Sequence, residues 1–285
     1  MVLWDCIFIL RNNHKTTKII YFFNIKYNIL NFTTLEKEKV IASIQVRSGS
    51  TRLPNKAMKK ICGKPMLLLM LERLSKSELL DEVIIATTEN KNDNHIFELV
   101  KKQGYKVFRG SEFDCLDRHY QAVKNSNAKF ICKITSDCPL IDPNIVDDVI
   151  KYFLENKNKF DYVSNVHPPT FPDGLDVEMF SISALEKAWK EARKNEEREH
   201  TTTYMWRNPS KFRIGSVVMP NGVNLFIKER WTVDYPEDFE FVKEIFENLY
   251  DDGKIFHMSD ILELLKKQVY IKKINEHLVE KNAVH

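Results

Sequence analysis

The sequence predicts an α/β protein, an open and mostly parallel sheet with helices on both faces. Short apolar runs of strand length recur at Val40–Val46, Glu82–Thr87, Tyr105–Phe108, Lys129–Ile134 and Tyr162–Val163. Between them lie stretches with helical spacing, at Met66–Leu74, Asp93–Gln103, Asp114–Asn125 and Pro143–Glu155. Strand–helix alternation of this kind builds parallel sheets, whose right-handed crossovers leave the strand C-termini on one edge. Ligands bind at that edge.

Taken in order, Val40–Val46 contains neither Gly nor Pro, as a buried parallel strand should. Pro65 precedes the Met66–Leu74 run, and proline suits a helix start because its missing N–H was not needed there. In Asp93–Gln103 the apolar Ile96, Phe97, Leu99 and Val100 share one side, and Gly104 is a stop signal. From His167 the pattern changes. His167–Gly174 is a loop by composition. Leu175–Phe180 reads as extended, and Ser183–Lys194 as a helix with Leu185, Ala188, Trp189 and Ala192 on one face. Phe212–Met219 and Trp231–Val233 are candidate strands. Pro236–Tyr250 and Ser259–Lys266 are candidate helices, the latter with Ser259 as N-cap. Three segments are expected: an N-terminal extension (1–38), a catalytic domain (39–250) and a C-terminal helical tail (251–285). The second half is expected to complete the sheet and supply a lid or a dimerisation element, which makes a homodimer an expectation.

Bulk properties narrow the function class. The formal charge is +3, and residues 1–38 supply +2 of it, five Lys/Arg against three acids. The remainder is near neutral, which argues against a nucleic-acid surface. The five cysteines form no C-x-x-C pair, in keeping with reduced thiols in a cytoplasmic protein. No apolar run approaches the ~20 residues of a membrane helix. Residues 1–38 have no Gly, no Pro and no clear period. The expectation is that the true start lies nearer Leu35 or Val40, although no Met stands between Met1 and Met58.

The chemistry-bearing stretch follows the first strand. Arg47-Ser48-Gly49-Ser50-Thr51-Arg52 interleaves small residues with cations, and Lys56 adds a third cation. Gly49 permits close backbone approach, and neighbouring N–H groups can form an anion nest. A strand emptying into a small cationic loop is one way to hold nucleotide phosphates. The loop matches neither G-x-G-x-x-G nor G-x-x-x-x-G-K-[ST], and on spacing alone an ordinary turn with surface charge remains open. Asp137 and Asp234 each follow an expected strand. Two such carboxylates can share Mg²⁺ when phosphates and waters complete its octahedron. Asp234 has the alternative of capping the helix opened by Pro236. Cations for a triphosphate plus two acids for a metal make up the inventory of phosphoryl or nucleotidyl transfer.

Ile44 to Lys56 resembles the opening signature of the sugar-acid cytidylyltransferases, the CMP-KDO and CMP-acylneuraminate synthetases. It is most similar to their relatives in spore-coat polysaccharide biosynthesis. Phe108-Arg109-Gly110-Ser111, Ile134 to Asp142, Pro172 to Glu178, Arg198 to Thr201 and Thr232 to Asp238 extend the resemblance. It covers roughly residues 40–250. It implies a Rossmann-like nucleotide-diphospho-sugar transferase fold. It also implies transfer of CMP from CTP to a sugar or sugar acid, with release of pyrophosphate. By position, Arg47 and Lys56 would hold the triphosphate with Arg52 assisting, and Asp137 and Asp234 would bind Mg²⁺. Gly49, Ser50, Thr51 and Arg109 would join Arg52 in nucleotide binding. Two departures from the family's pattern stand out, Ser48 in the loop and Lys133 where the spore-coat group usually has Arg. The acceptor cannot be inherited from the family.

Other residues carry weaker signals. Asp114, Asp117 and Arg118 share a helical face, and an Asp114–Arg118 salt bridge is expected. Asp176 and Glu178 point the same way along an extended segment, with sugar binding and plain solvation both open. His200 beside Glu197 and Glu199 lacks zinc-protease spacing. Trp189, Trp206 and Cys138 are expected to pack. A nucleotide-sugar-dependent glycosyltransferase, another sugar nucleotidyltransferase of this fold and a non-catalytic nucleotide-binding subunit are the alternatives.

Overall fold

Residues 8–10, 18–20 and 38–282 are described in the computed structural model of the chain. They fall into two units, Met1–Glu38 and Lys39–His285. The first unit holds a short antiparallel ladder, Phe8–Leu10 against Lys18–Ile20. Most of the extension on which a later start was expected, Leu35 included, lies outside the described residues.

A seven-stranded sheet organises the second unit. Its strands are β1 (Val40–Gln45), β2 (Glu82–Thr88), β3 (Lys106–Gly110), β4 (Phe130–Thr135), β5 (Tyr162–Ser164), β6 (Glu178–Ser181) and β7 (Ile214–Ser216). They lie in the order β7-β5-β6-β4-β1-β2-β3. Only β6 runs against its neighbours β4 and β5, and every other pair is parallel. The chain steps outward from β1 to β2 and β3, then returns to place β4 on the other side of β1. That reversal is a topological switch point, where side-by-side C-terminal ends leave a crevice.

The helices are α1 (Met66–Leu74), α2 (Asn94–Lys102), α3 (Cys115–Val123), α4 (Pro143–Glu155), α5 (Ile182–Glu191), α6 (Asn195–Glu199), α7 (Thr203–Trp206), α8 (Pro236–Leu249), α9 (Met258–Lys267) and α10 (Val269–Lys273). The period-2 alternation of the strands sorts them onto two faces. Val40, Ala42 and Ile44 of β1, with Phe130, Cys132 and Ile134 of β4, join one core with α1, α4 and α8. Ile41 and Ile131 point the other way, into a smaller core with Leu116 of α3, Leu185 of α5 and Met205 of α7. Each fully buried aliphatic side chain of this kind stabilises the fold by about 1.5–3 kcal/mol relative to exposure. The expected tail is part of the larger core, where Ile261, Leu264, Leu265 and Ile271 of α9 and α10 are buried. No helix among the described residues is long and apolar enough to cross a membrane.

Several expected elements differ from those observed. Trp231–Val233 is not a strand. Trp231 N donates to Asp173 O (2.7 Å) and Val233 N to Asp137 O (2.8 Å), so the segment is stitched to two loops and forms no ladder. Leu175–Val177 is extended outside the sheet because the Asn165 side chain takes a strand's place, donating to Leu175 O and accepting from Val177 N. Only Ile214–Ser216 of the expected Phe212–Met219 strand pairs, with β5. Ser259 does not cap α9. His257 holds the cap position, where its N–H donates to Asp260 Oδ2 (2.7 Å), and Met258 N donates to Asp142 Oδ2 (2.7 Å).

Candidate active site

The loop after β1 folds back on itself. Ser50 N and Asn55 N both donate to Ser48 O, at 2.8 and 3.1 Å. Ser48 N donates to the buried Asp93 (2.7 Å), which also accepts from the Thr88 hydroxyl. Ser50 Oγ accepts from Leu53 N (3.3 Å), and the Leu53 side chain is buried. Asn55 takes a left-handed conformation (φ 60°) and turns the chain so that Lys56 opens a 3₁₀ turn pointing back across the sheet edge. Gly49 serves by its size. A Cβ there would stand 3.3 Å from Glu112 Oε1. Thr51 is exposed.

Lys56, Asp137 and Asp234 meet at the switch point. Lys56 Nζ lies 3.0 Å from Asp234 Oδ1, 3.4 Å from Asp137 Oδ2 and 2.7 Å from Val233 O. Its side chain is 12% exposed. Burial pulls the ammonium's pKa down, and Asp137 and Asp234 more than offset it, so the group is held protonated. The two acids are 97 residues apart in sequence, and main-chain bonding joins them. Val233 N, one residue before Asp234, donates to the carbonyl of Asp137, and Thr232 Oγ1 reaches the same oxygen at 3.3 Å. Arg52 reaches Asp234 Oδ2 at 3.0 Å and stacks 5.1 Å over the Tyr235 ring.

Asp234 does not cap α8; Asp238 does that work. Asp238 Oδ2 accepts from Asp234 N and Tyr235 N, both at 3.0 Å. The fully buried Asp238 also receives Arg230 on both oxygens, at 3.0 and 3.1 Å, and Asn275 Nδ2 at 3.0 Å. Arg230 continues to Asp173 (3.2 Å) and Asp234 (3.5 Å). Burial, then the Asp176 charge, push the Asp173 carboxyl up to about 8, against the pull of Arg230. Behind this cluster Gly174 (φ 108°) presses on the Thr232 backbone, where a Cβ would meet Thr232 N at 2.4 Å. Arg230 escapes notice on the sequence, and Asp238 stands there only as part of the Thr232–Asp238 motif, although Pro at the first helical position with an acid two residues later is a helix-start signal.

The other expected site residues divide. Arg47 is exposed and lines a cavity of about 840 Å³. Arg109 is committed to the fold. It donates to Thr88 O (2.8 Å), Asn90 O (2.8 Å) and Asn94 Oδ1 (2.7 Å), tying down the loop between β2 and α2. The expected Asp114–Arg118 bridge is absent. Asp114 caps α3 through Asp117 N and pairs with Arg198 (2.6 Å), while Arg118 donates to Ser111 O. Glu178 is a buried partner of Lys133 and of Tyr162 OH (2.6 Å). Desolvation opposes its charge, yet the Lys133 ammonium brings its pKa down to about 2. Asp176 is half-buried, and its Oδ1 lies 3.4 Å from Gly174 N. Trp189 stacks on Tyr120 (4.5 Å) and Trp206 packs on His167 (4.5 Å), while Cys138 is buried.

Two carboxylates converging on one cation suit a hard divalent ion. Asp137 and Asp234 supply oxygen donors only, and the ammonium between them marks a point both reach. No group of three or more His, Cys, Asp or Glu able to hold a metal occurs among the described residues. Any ion there would therefore draw its remaining ligands from substrate and water.

Comparison with known proteins identifies the family. A family model described as Cytidylyltransferase matches residues 41–274. The chain belongs to the cytidylyltransferase family. This cytidylyltransferase is 40% identical over 247 residues to an uncharacterized protein of Methanocaldococcus jannaschii, covering 86% of this chain and 97% of the relative. It is 27% identical over 233 residues to the spore coat polysaccharide biosynthesis protein SpsF of Bacillus subtilis, covering 80% and 94%. A solved cytidylyltransferase from Leptospira borgpetersenii superposes with a TM-score of 0.76 at 37% identity, covering 82% of this chain and 97% of that one. The cytidylyltransferase is thus a nucleotidyltransferase on a Rossmann-like fold, and its family match extends through α9 and α10.

Proposed function

We propose that the enzyme transfers CMP from CTP to a sugar or sugar acid with release of pyrophosphate, using Mg²⁺, in the biosynthesis of a surface polysaccharide or glycan. The observation that carries this reading is the convergence of Lys56, Asp137 and Asp234 at the switch point. In the reaction the acceptor hydroxyl forms a bond to the α-phosphorus. The bond from that phosphorus to the bridging oxygen breaks, pyrophosphate leaves, and the hydroxyl proton passes to solvent.

Asp137 and Asp234 would hold Mg²⁺, which supplies charge neutralisation on the phosphates and lowers the pKa of a coordinated hydroxyl. Lys56 and Arg52 would bind the phosphate oxygens, exchanging a carboxylate partner for a phosphate. Arg230 and Asp238 keep Asp234 in place during that exchange, because their own bonds do not involve the loop. Arg47 would reach the substrates from the cavity it lines. With CTP as its substrate the enzyme would work in the cytoplasm.

The test is pyrophosphate release from CTP and Mg²⁺ across a panel of sugars and sugar acids. Release with one acceptor, abolished by Asp137→Asn, supports the reading. No release with any acceptor from folded protein that binds CTP would leave a non-catalytic nucleotide-binding subunit in its place.

A further inference from the structure

The cavity beside Arg47 is not used by the residues that meet at Lys56. It is walled by Gln45 at the end of β1, by the turn before α3, by Cys115 and Arg118 of α3, and by the segment 192–200. Gln45 is half-buried there, and the orientation of its amide is decided beneath the sheet.

Cys115 Sγ receives two donors, Arg118 Nη2 at 3.3 Å and Thr201 Oγ1 at 3.4 Å. Its own proton is left for Gln45, 2.9 Å away, and a thiol proton requires the amide oxygen there. His119, fully buried on α3, lies 3.1 Å from the same atom through Nε2 and 2.7 Å from Ser43 Oγ through Nδ1. Burial, reinforced by Arg118 and Lys133, keeps the imidazole pKa well below its usual value, so the ring carries one N–H. With the Gln45 oxygen facing Cys115 and His119, as it does in the structure, Nε2–H donates to Gln45 Oε1 and Nδ1 accepts from Ser43 O–H. The Gln45 oxygen is then occupied twice over from beneath. Its NH₂ end is left to the cavity as a donor.

The walls agree with a donor role. Arg47 and Arg193 are exposed and line the cavity. Arg118 is 3% exposed, and its Nε has no acceptor. Of the acids, Asp114 is neutralised by Arg198, Glu112 accepts from Asn90 Nδ2 (2.9 Å), and Glu199 is exposed.

We infer that Gln45 is a specificity residue that donates its amide N–H to an anionic oxygen of the acceptor, a carboxylate or a phosphate, and that His119 is the positioning residue that fixes the amide in this sense. The inference rests on the transfer reaction proposed above. A substrate amine or amide N–H at this point would meet a donor with nothing to accept it, and such mismatches are costly in a shielded site.

The test is calorimetric titration of the full-length protein loaded with α,β-methylene-CTP and Mg²⁺. N-acetylneuraminate and 3-deoxy-manno-octulosonate form the carboxylate arm, glucose 1-phosphate and glucose 6-phosphate the phosphate arm, and glucose the uncharged control. One anionic arm should bind at least tenfold more tightly than glucose. Gln45→Glu, which keeps the oxygen facing His119 but removes the donor, should weaken that binding at least tenfold and leave the nucleotide affinity within twofold. Equal binding of all probes, or a Gln45→Glu variant that loses nucleotide and anion alike, overturns the inference. Anion binding that needs Gln45, without pyrophosphate release from CTP, would instead remove the transfer reading and leave Gln45 in place. His119→Gln can still present an N–H near Nε2 and should keep the discrimination between anion and glucose. His119→Leu should lose it, and identical discrimination in both variants refutes the positioning role.

Discussion

Replacing Lys56 with Met separates what this ammonium does for stability from what it does for the reaction. Lys56 bonds two carboxylates and a carbonyl from a side chain only 12% exposed. Hydrogen bonds to charged groups contribute about 1.5–3 kcal/mol each. Asp137 and Asp234 are 28% and 21% exposed, so water recovers part of what they lose. Lys56→Met should therefore cost about 1–3 kcal/mol of stability at neutral pH. The cost has a pH signature. Lys56 titrates above its ordinary value, so its contribution is complete below about pH 10.5 and fades as pH rises through the raised folded-state value. Urea denaturation of both proteins at pH 8 and above pH 10.5 should show the deficit shrinking with alkalinity. If Lys56 then stabilises charge on the phosphates, its loss should lower kcat/KM for CTP by about 10²–10³-fold, the scale for one preorganised donor. A deficit that does not change with pH, or a kcat/KM within threefold of wild type, would refute the reasoning.

The remaining predictions concern the frame around that lysine. Asp238→Ala strips Arg230 of its bidentate partner and α8 of its cap, and should cost about 3–5 kcal/mol in equilibrium unfolding; a loss below 1 kcal/mol would show that water substitutes for the carboxylate. Glu178→Gln should destabilise at neutral pH and less so in acid. Glu178 titrates near 2 in the folded chain, so its contribution is present above about 4.5 and is lost as pH falls towards 2; an acid-unfolding profile unchanged by the substitution would contradict the Lys133 pairing. Gly174→Ala forces a Cβ onto the Thr232 backbone and should reduce both thermal stability and turnover, since Thr232 to Asp234 must move. Arg109→Ala should alter thermal stability while changing KM for CTP less than twofold. A tenfold rise in KM would return Arg109 to the nucleotide site.

The parts of the fold that a local pattern encodes were readable from the sequence. Met66–Leu74 and Pro143–Glu155 match their helices at both ends, because each begins at a proline-marked boundary and carries one continuous apolar face. Trp231–Val233 was misread for the opposite reason. Its apolar, β-branched composition suits a strand, but its backbone partners are single loop residues, Asp173 and Asp137, and no periodicity announces a lone bridge. The acids and Lys56 were legible because their chemistry is unusual for their positions. That Arg109 bonds the loop between β2 and α2 was not legible, because a guanidinium used for loop bonding and one used for a ligand have the same letter. Gln45 stands inside the signature that carries the resemblance but without a role, and its pairing with His119 carried no signal, since it is a contact between a strand end and a helix 74 residues on.

The spacing of the acids follows from where their restraints come from. Had Asp137 and Asp234 been placed only by their side-chain pairing to Lys56, removing the ammonium would let mutual repulsion part them. Instead the Val233 N–H to Asp137 carbonyl bond fixes the two main chains, and Asp238 fixes the main chain of Asp234 from the other side. Lys56 is thus free to change partners when phosphates arrive, while the carboxylates stay where the backbone put them. The same division of labour recurs at Gln45, where the strand fixes the main chain and a neutral histidine fixes the amide. In both places a buried polar partner that never meets the ligand decides which atom the ligand meets. Asp238→Ala and His119→Leu should therefore alter ligand affinity even though neither residue carries a group within reach of solvent.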